Sequence, residues 1–193
     1  MEKTSVQKLA GVLKLLVTIT FICNLVALFL VPGCSRLRSL DELVEGALYF
    51  SNESSLAVTA RMMGYFVSAW QEVWLFGGPY AAVLTSFLLF CGVCTAVILW
   101  QARRVLDTIL AGNTFTFENA ANMRRAAVCC FLIAAAALGR TVWGLCFYRS
   151  LMPLLTYNAL FVPVFLMAGL LCMVMSALFR QAAELKAEND LTI

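Results

Sequence analysis

Histidine is absent from this 193-residue chain, proline occurs four times, and only 13% of the residues are charged. Without histidine there can be no serine–histidine or cysteine–histidine nucleophile pair and no histidine-ligated haem, and most zinc sites are excluded too. The chain has no glycine-rich phosphate loop and no carboxylates clustered at ligand spacing. These absences weigh against the common soluble enzyme classes and imply neither a metal nor a cofactor. The net charge of +3 is small and spread along the chain, so direct nucleic-acid binding is not indicated.

What is abundant is apolar sequence. Hydrophobic residues make up 62% of the chain, well above the half expected of a soluble domain. The expected fold class is therefore all-α: one integral membrane domain over residues 1–193, a bundle of four transmembrane helices. About 20 apolar residues suffice to span the hydrocarbon, and four runs meet that length, at about 9–31, 80–100, 126–147 and 154–179.

Arginine pairs set the orientation. Arg103, Arg104, Arg124 and Arg125 bracket the polar stretch 101–125, which the positive-inside rule places in the cytoplasm as a helical hairpin. Lys3, Lys8, Lys14, Arg180 and Lys186 fall on the same side, against Arg36, Arg38, Arg61 and Arg149 outside. Both termini are expected in the cytoplasm, with the protein multi-pass in the cell membrane and the lipid bilayer as its first partner. Pro32 and Gly33 are expected to end the first helix. A cleaved signal peptide is the rival reading of this segment, disfavoured because the apolar run is long for one.

The external loop 32–79 is expected to be partly helical. Ser39 followed by Glu42 has capping-box spacing for a short helix through Phe50, and Ser54 or Ser55 can cap a second, Leu56–Phe76. The second carries Met62, Met63, Phe66, Trp70 and Trp74 at helical spacing, which suits an interfacial helix or a cover over the outer ends of the bundle. Arg61, Gln71 and Glu72 argue against a fifth span. Beyond it, Gly112-Asn113 reads as a helix stop, Thr114 or Thr116 as the next cap, and Pro163 as a kink in the last helix. The tail 180–193 reads as a short, fraying polar helix.

Arg140 is the most informative single residue. It lies 14 positions beyond Ala126, about 21 Å into the membrane at 1.5 Å per residue. A charge at that depth normally faces the bundle interior with a partner. Asn24, Thr85, Ser86 and Asn158 reach a similar level, and Glu72 is the candidate counter-charge, so these six residues form a candidate polar ligand layer or structural layer. The bland alternative is that Arg140 snorkels outward and pins its helix.

Of eight cysteines, Cys91 and Cys94 form a C-x-x-C pair on one helix face. Cys91 lies about 17 Å below Tyr80, a poor depth for exchange with soluble disulfides. Small apolar packing is the ordinary role of cysteine there. Cys34 and Cys146 lie near the outer face and could pair. No carboxylate lies within the four spans, which disfavours proton-coupled transport.

The tail from Leu178 to Lys186, continuing into Glu188-Asn189-Asp190-Leu191-Thr192-Ile193, resembles the ending of a domain-of-unknown-function family. Its members are small four-helix bacterial membrane proteins, largely from Firmicutes. Gly112, Phe115-Thr116 and Glu118-Asn119 ahead of the arginines resemble the same family. The resemblance implies no catalytic residue, and it implies a soluble helix-turn-helix regulator as partner, because such genes often neighbour the family. Arg103, Arg104, Arg124, Arg125, Asn189 and Asp190 are the candidate cytoplasmic docking residues. The expected function is non-enzymatic: a sensor or regulator that works through partners. A transporter of small or lipid-like solutes is the alternative, and a thiol–quinone redox protein using Cys91 and Cys94 the second.

Overall fold

A computed structural model describes residues 5–36, 55–75, 78–149 and 151–190. Their elements are α1 (Ser5–Arg36), α2 (Ser55–Leu75), α3 (Gly78–Leu110), α4 (Phe117–Tyr148), a 3₁₀ turn (Met152–Leu155) and α5 (Tyr157–Asp190), with no strand among the described residues. Four helices are long and apolar enough to cross a membrane: α1 through its segment Gln7–Val31, then α3, α4 and α5. The chain is an all-α, multi-pass membrane protein. Such segments must be helical because hydrocarbon offers no partner to a free N–H or C=O.

The chain divides into two compact units, Val26–Phe90 and the remainder. In the smaller unit, Trp70 of α2 donates its indole N–H to the Phe29 carbonyl of α1 at 3.3 Å, and Val73 is buried while Trp74 is half exposed. α2 thus lies against the end of α1, held by one aromatic side chain that is both apolar and a donor.

In the larger unit α4 is the most enclosed helix. Its buried positions include Ala126, Ala127, Cys130, Ile133, Ala134, Ala137, Thr141 and Gly144, spaced by threes and fours and nearly all small. Small side chains let helix backbones approach, which is how helices associate where lipid is as apolar as the core. Two contacts record that approach on the α5 side. The Phe131 ring lies where a Cβ on Gly169 would fall, 2.7 Å away, and Pro153 of the 3₁₀ turn lies 3.3 Å from a Cβ placed on Gly144. α5 by contrast turns most of its apolar surface outward, including Leu160, Leu170, Leu171 and Val174.

Three expectations are corrected. α1 does not stop at Pro32 and Gly33 but continues to Arg36, because a proline in an apolar helix forfeits only its own N–H and the freed carbonyl is readily accommodated. Leu154 belongs to the 3₁₀ turn, and the last helix starts at Tyr157. The tail is no separate helix: α5 runs unbroken from Tyr157 past Arg180 to Asp190, with Pro163 inside it. Its continuation is fastened by the Arg180–Glu184 ion pair at 2.9 Å and by buried Phe179 and Ala183. The short helix expected over residues 39–50 lies outside the described residues, as does the side chain of Cys34 and with it the Cys34–Cys146 pair.

Candidate functional site

The α3–α4 turn is built by its local sequence. α3 ends at Leu110, and Gly112 adopts φ +80, which glycine does without strain. The Gly112 N–H then bonds the Ile109 carbonyl at 3.1 Å and the Asn113 N–H bonds that of Thr108 at 3.0 Å. This double closure satisfies two carbonyls that the helix end would otherwise orphan. Four residues later Thr116, extended at φ −133 and ψ 149, caps α4 by accepting the Asn119 N–H at 3.2 Å.

Asn119 locks the two helix ends together. It is fully buried, and its Nδ2 donates to Thr108 Oγ1 at 2.7 Å and to the Thr114 carbonyl at 2.8 Å. The single Thr108 hydroxyl proton is shared between the Val105 carbonyl at 2.7 Å and Asn119 Oδ1 at 2.9 Å. An apolar cluster of Val105, Ala120 and Phe179 joins α5 to the same end, flanked by Ile109 and Met123. Ser176 donates to the Ala120 carbonyl at 2.7 Å, and the Phe115 and Phe179 rings lie 6.4 Å apart. Ion pairs edge this head: Lys14 with Asp107 at 2.6 Å and Arg104 with Glu118 at 2.8 Å.

The docking candidates therefore separate. Arg104 is spent on Glu118, whereas Arg103, Arg124 and Arg125 are exposed and make no ion pair among the described residues. Asn189 is exposed on the last turn of α5, and Asp190 closes that helix. Arg124 and Arg125 line a cleft of about 420 Å³ between α3 and α4, together with Val97, Gln101, Ala121, Val128 and Cys129.

Of the six candidate polar residues, Asn24, Arg140 and Asn158 belong to the larger unit and Glu72, Thr85 and Ser86 to the smaller. Asn158 reaches from α5 to α4, donating through Nδ2 to the Ala137 carbonyl at 3.2 Å and to Thr141 Oγ1 at 3.0 Å. Thr141 passes its own proton to the Ala137 carbonyl at 2.8 Å. Arg140 is half-buried, and its guanidinium goes to neither candidate amide: the oxygens Asn24 Oδ1 and Asn158 Oδ1 are both buried without a hydrogen-bond partner. In the other unit Thr85 is fully buried, while the neighbouring Ser86 faces out and donates back to its own helix at Ala82, 2.7 Å away. Glu72, on α2, is half-buried.

Cysteines meet across helices as well as along one, where Cys91 neighbours Cys94. Cys94 faces Cys129 of α4, and Cys130 faces Cys172 of α5. None of the seven cysteines with described side chains is in a disulfide.

Sequence reasoning passed over Gln101, Thr108, Asn119 and Asn122. The signal available was amide side chains at the ends of apolar helices, where each must find partners or leave orphans. Asn119 finds them. Asn122, one turn on, is 1% exposed and neither atom of its amide is bonded.

The family model described as "Protein of unknown function (DUF2975)" matches residues 6–193. No curated protein and no solved structure matches the chain.

Proposed function

The chain belongs to this DUF2975 family of proteins of unknown function, and on that premise we propose that it is a non-enzymatic sensor or regulator acting through partners. The observation that supports this reading is the head at the α3–α4 turn. There three helices meet, the buried polar atoms of Asn119 and Thr108 are consumed in holding the turn, and exposed charge is carried on a fixed surface. A rigid, charged end suits recognition of a soluble protein, since little ordering entropy remains to be lost on binding.

By the distribution of lysine and arginine this end is cytoplasmic, with both termini on the same side of the cell membrane. The soluble partner is then a cytoplasmic regulator, and it meets Arg103 and the last turns of α5. A small or lipid-like ligand is sensed at the opposite end, near Arg140 and Asn158. Reporter fusions after Val31 and after Arg125 test the orientation, and an external signal at Arg125 would overturn it. Pull-down on the intact membrane protein, compared with Arg103→Glu and with a form lacking residues 180–193, tests the partner. The regulator should be retained by the full chain and lost from both variants. Recovery of no soluble partner with any form would remove the reading.

A further inference from the structure

The cleft between α3 and α4 has two chemically different ends. Val97 of α3 faces Val128 and Cys129 of α4 on the apolar side. One turn nearer the helix ends come Gln101 on α3 and Arg124 and Arg125 on α4. Gln101 directly follows Trp100, an exposed aromatic at the edge of the apolar run, so the cleft straddles the boundary between hydrocarbon and headgroup.

The polar end of the cleft carries charge that no carboxylate among the described residues answers, while Gln101 beside it is buried in the wall. Lys14, Arg104 and Arg180 each have a carboxylate partner, whereas the two arginines of the cleft have none among the described residues. One occupant answers both the charge and the apolar wall if it brings an anion and an apolar chain.

We infer that this cleft binds one anionic glycerophospholipid. Its phosphate sits between Arg124 and Arg125, and one acyl chain lies along Val97, Val128 and Cys129. Arginine presents several N–H donors in a fixed fork and holds phosphate in two-pronged fashion. A volume of about 420 Å³ accommodates a headgroup and the first part of a chain, the rest continuing into bulk lipid. This site is independent of any soluble partner, because it needs neither Arg103 nor the end of α5.

The test uses the full chain in phosphatidylcholine nanodiscs doped with spin-labelled phosphatidylglycerol, reading the immobilised lipid fraction. Wild type should prefer phosphatidylglycerol to labelled phosphatidylcholine, and Arg124→Gln with Arg125→Gln should weaken that preference on the order of ten-fold. Val128→Trp fills the cleft at an exposed position with both charges intact, and it should also remove the immobilised fraction. Arg103→Gln should change nothing. Equal immobilisation of the two labelled lipids by wild type would overturn the site. So would an Arg103→Gln loss as large as that of the double variant, which marks diffuse surface charge. Full displacement of the lipid by glycerol 1-phosphate or inorganic phosphate would overturn the acyl-chain assignment.

Discussion

The two turns that flank α4 are built on different principles. At the α3–α4 end the chain reverses through six residues, closed by Gly112 and Thr116 and locked by an asparagine whose bonds all lie within the head. At the α4–α5 end α4 is stopped by Arg149, a non-glycine residue at φ 47 and ψ 37. The chain beyond it shows water or lipid its largest apolar residues, Leu151 at 73%, Leu155 at 86% and Tyr157 at 84% exposed. Pro153 against Gly144 and the Asn158 bonds to α4 are among the contacts that hold that end. One end is closed by a polar lock and the other is edged by exposed apolar residues. Left-handed backbone at an arginine costs about 1 kcal/mol that a glycine would not, whereas the head carries no such strain at Gly112.

The comparison is broken most directly at Asn119. Asn119→Ala removes both Nδ2 bonds, to the Thr114 carbonyl and the Thr108 hydroxyl, while Thr108 keeps its bond to the Val105 carbonyl, and should destabilise the protein by about 1–2 kcal/mol. Thermal unfolding in detergent would register this, and a variant melting with wild type would mean that the head is not held by its polar lock.

Asn122 sharpens the contrast within the head itself. Both of its amide atoms are buried and unbonded, so Asn122→Leu should raise stability by roughly 1 kcal/mol. A fall in melting temperature comparable to that of Asn119→Ala would show that the two amides do similar work.

The smallest effect belongs to the far end. Asn158→Leu loses two modest bonds but also removes the orphaned Oδ1, and an interhelical bond in a membrane averages about 0.6 kcal/mol. The expected loss is therefore at or below that figure in the same melting assay. A loss rivalling that of Asn119→Ala would erase the difference between the ends.

Much of the fold can be read directly from residue order, because hydrocarbon thickness fixes how long an apolar helix must be. The four spans are legible on that ground, and so are Gly112 as a stop and a threonine as the following cap. The limits of α1 and α5 were harder, since Pro32-Gly33 and the charged tail carry breaker and fraying signals that apolar surroundings and the anchoring of Phe179 override. The candidate site was only half visible. Arg124 and Arg125 stand out as charges, but Gln101 beside them looks like any interfacial polar residue until its burial is known.

Composition and charge order alone determine that this chain is helical, spans a membrane four times and carries its arginines in pairs, because these follow from the length and polarity of segments taken singly. Only the tertiary structure decides that Asn119 is satisfied and Asn122 is not, that Cys94 meets Cys129, and that two of the arginines line one cleft. Those outcomes depend on the rotation and axial offset of one helix against the next. Side chains of the same type one turn apart then meet different neighbours, and nothing in their own local sequence tells them apart.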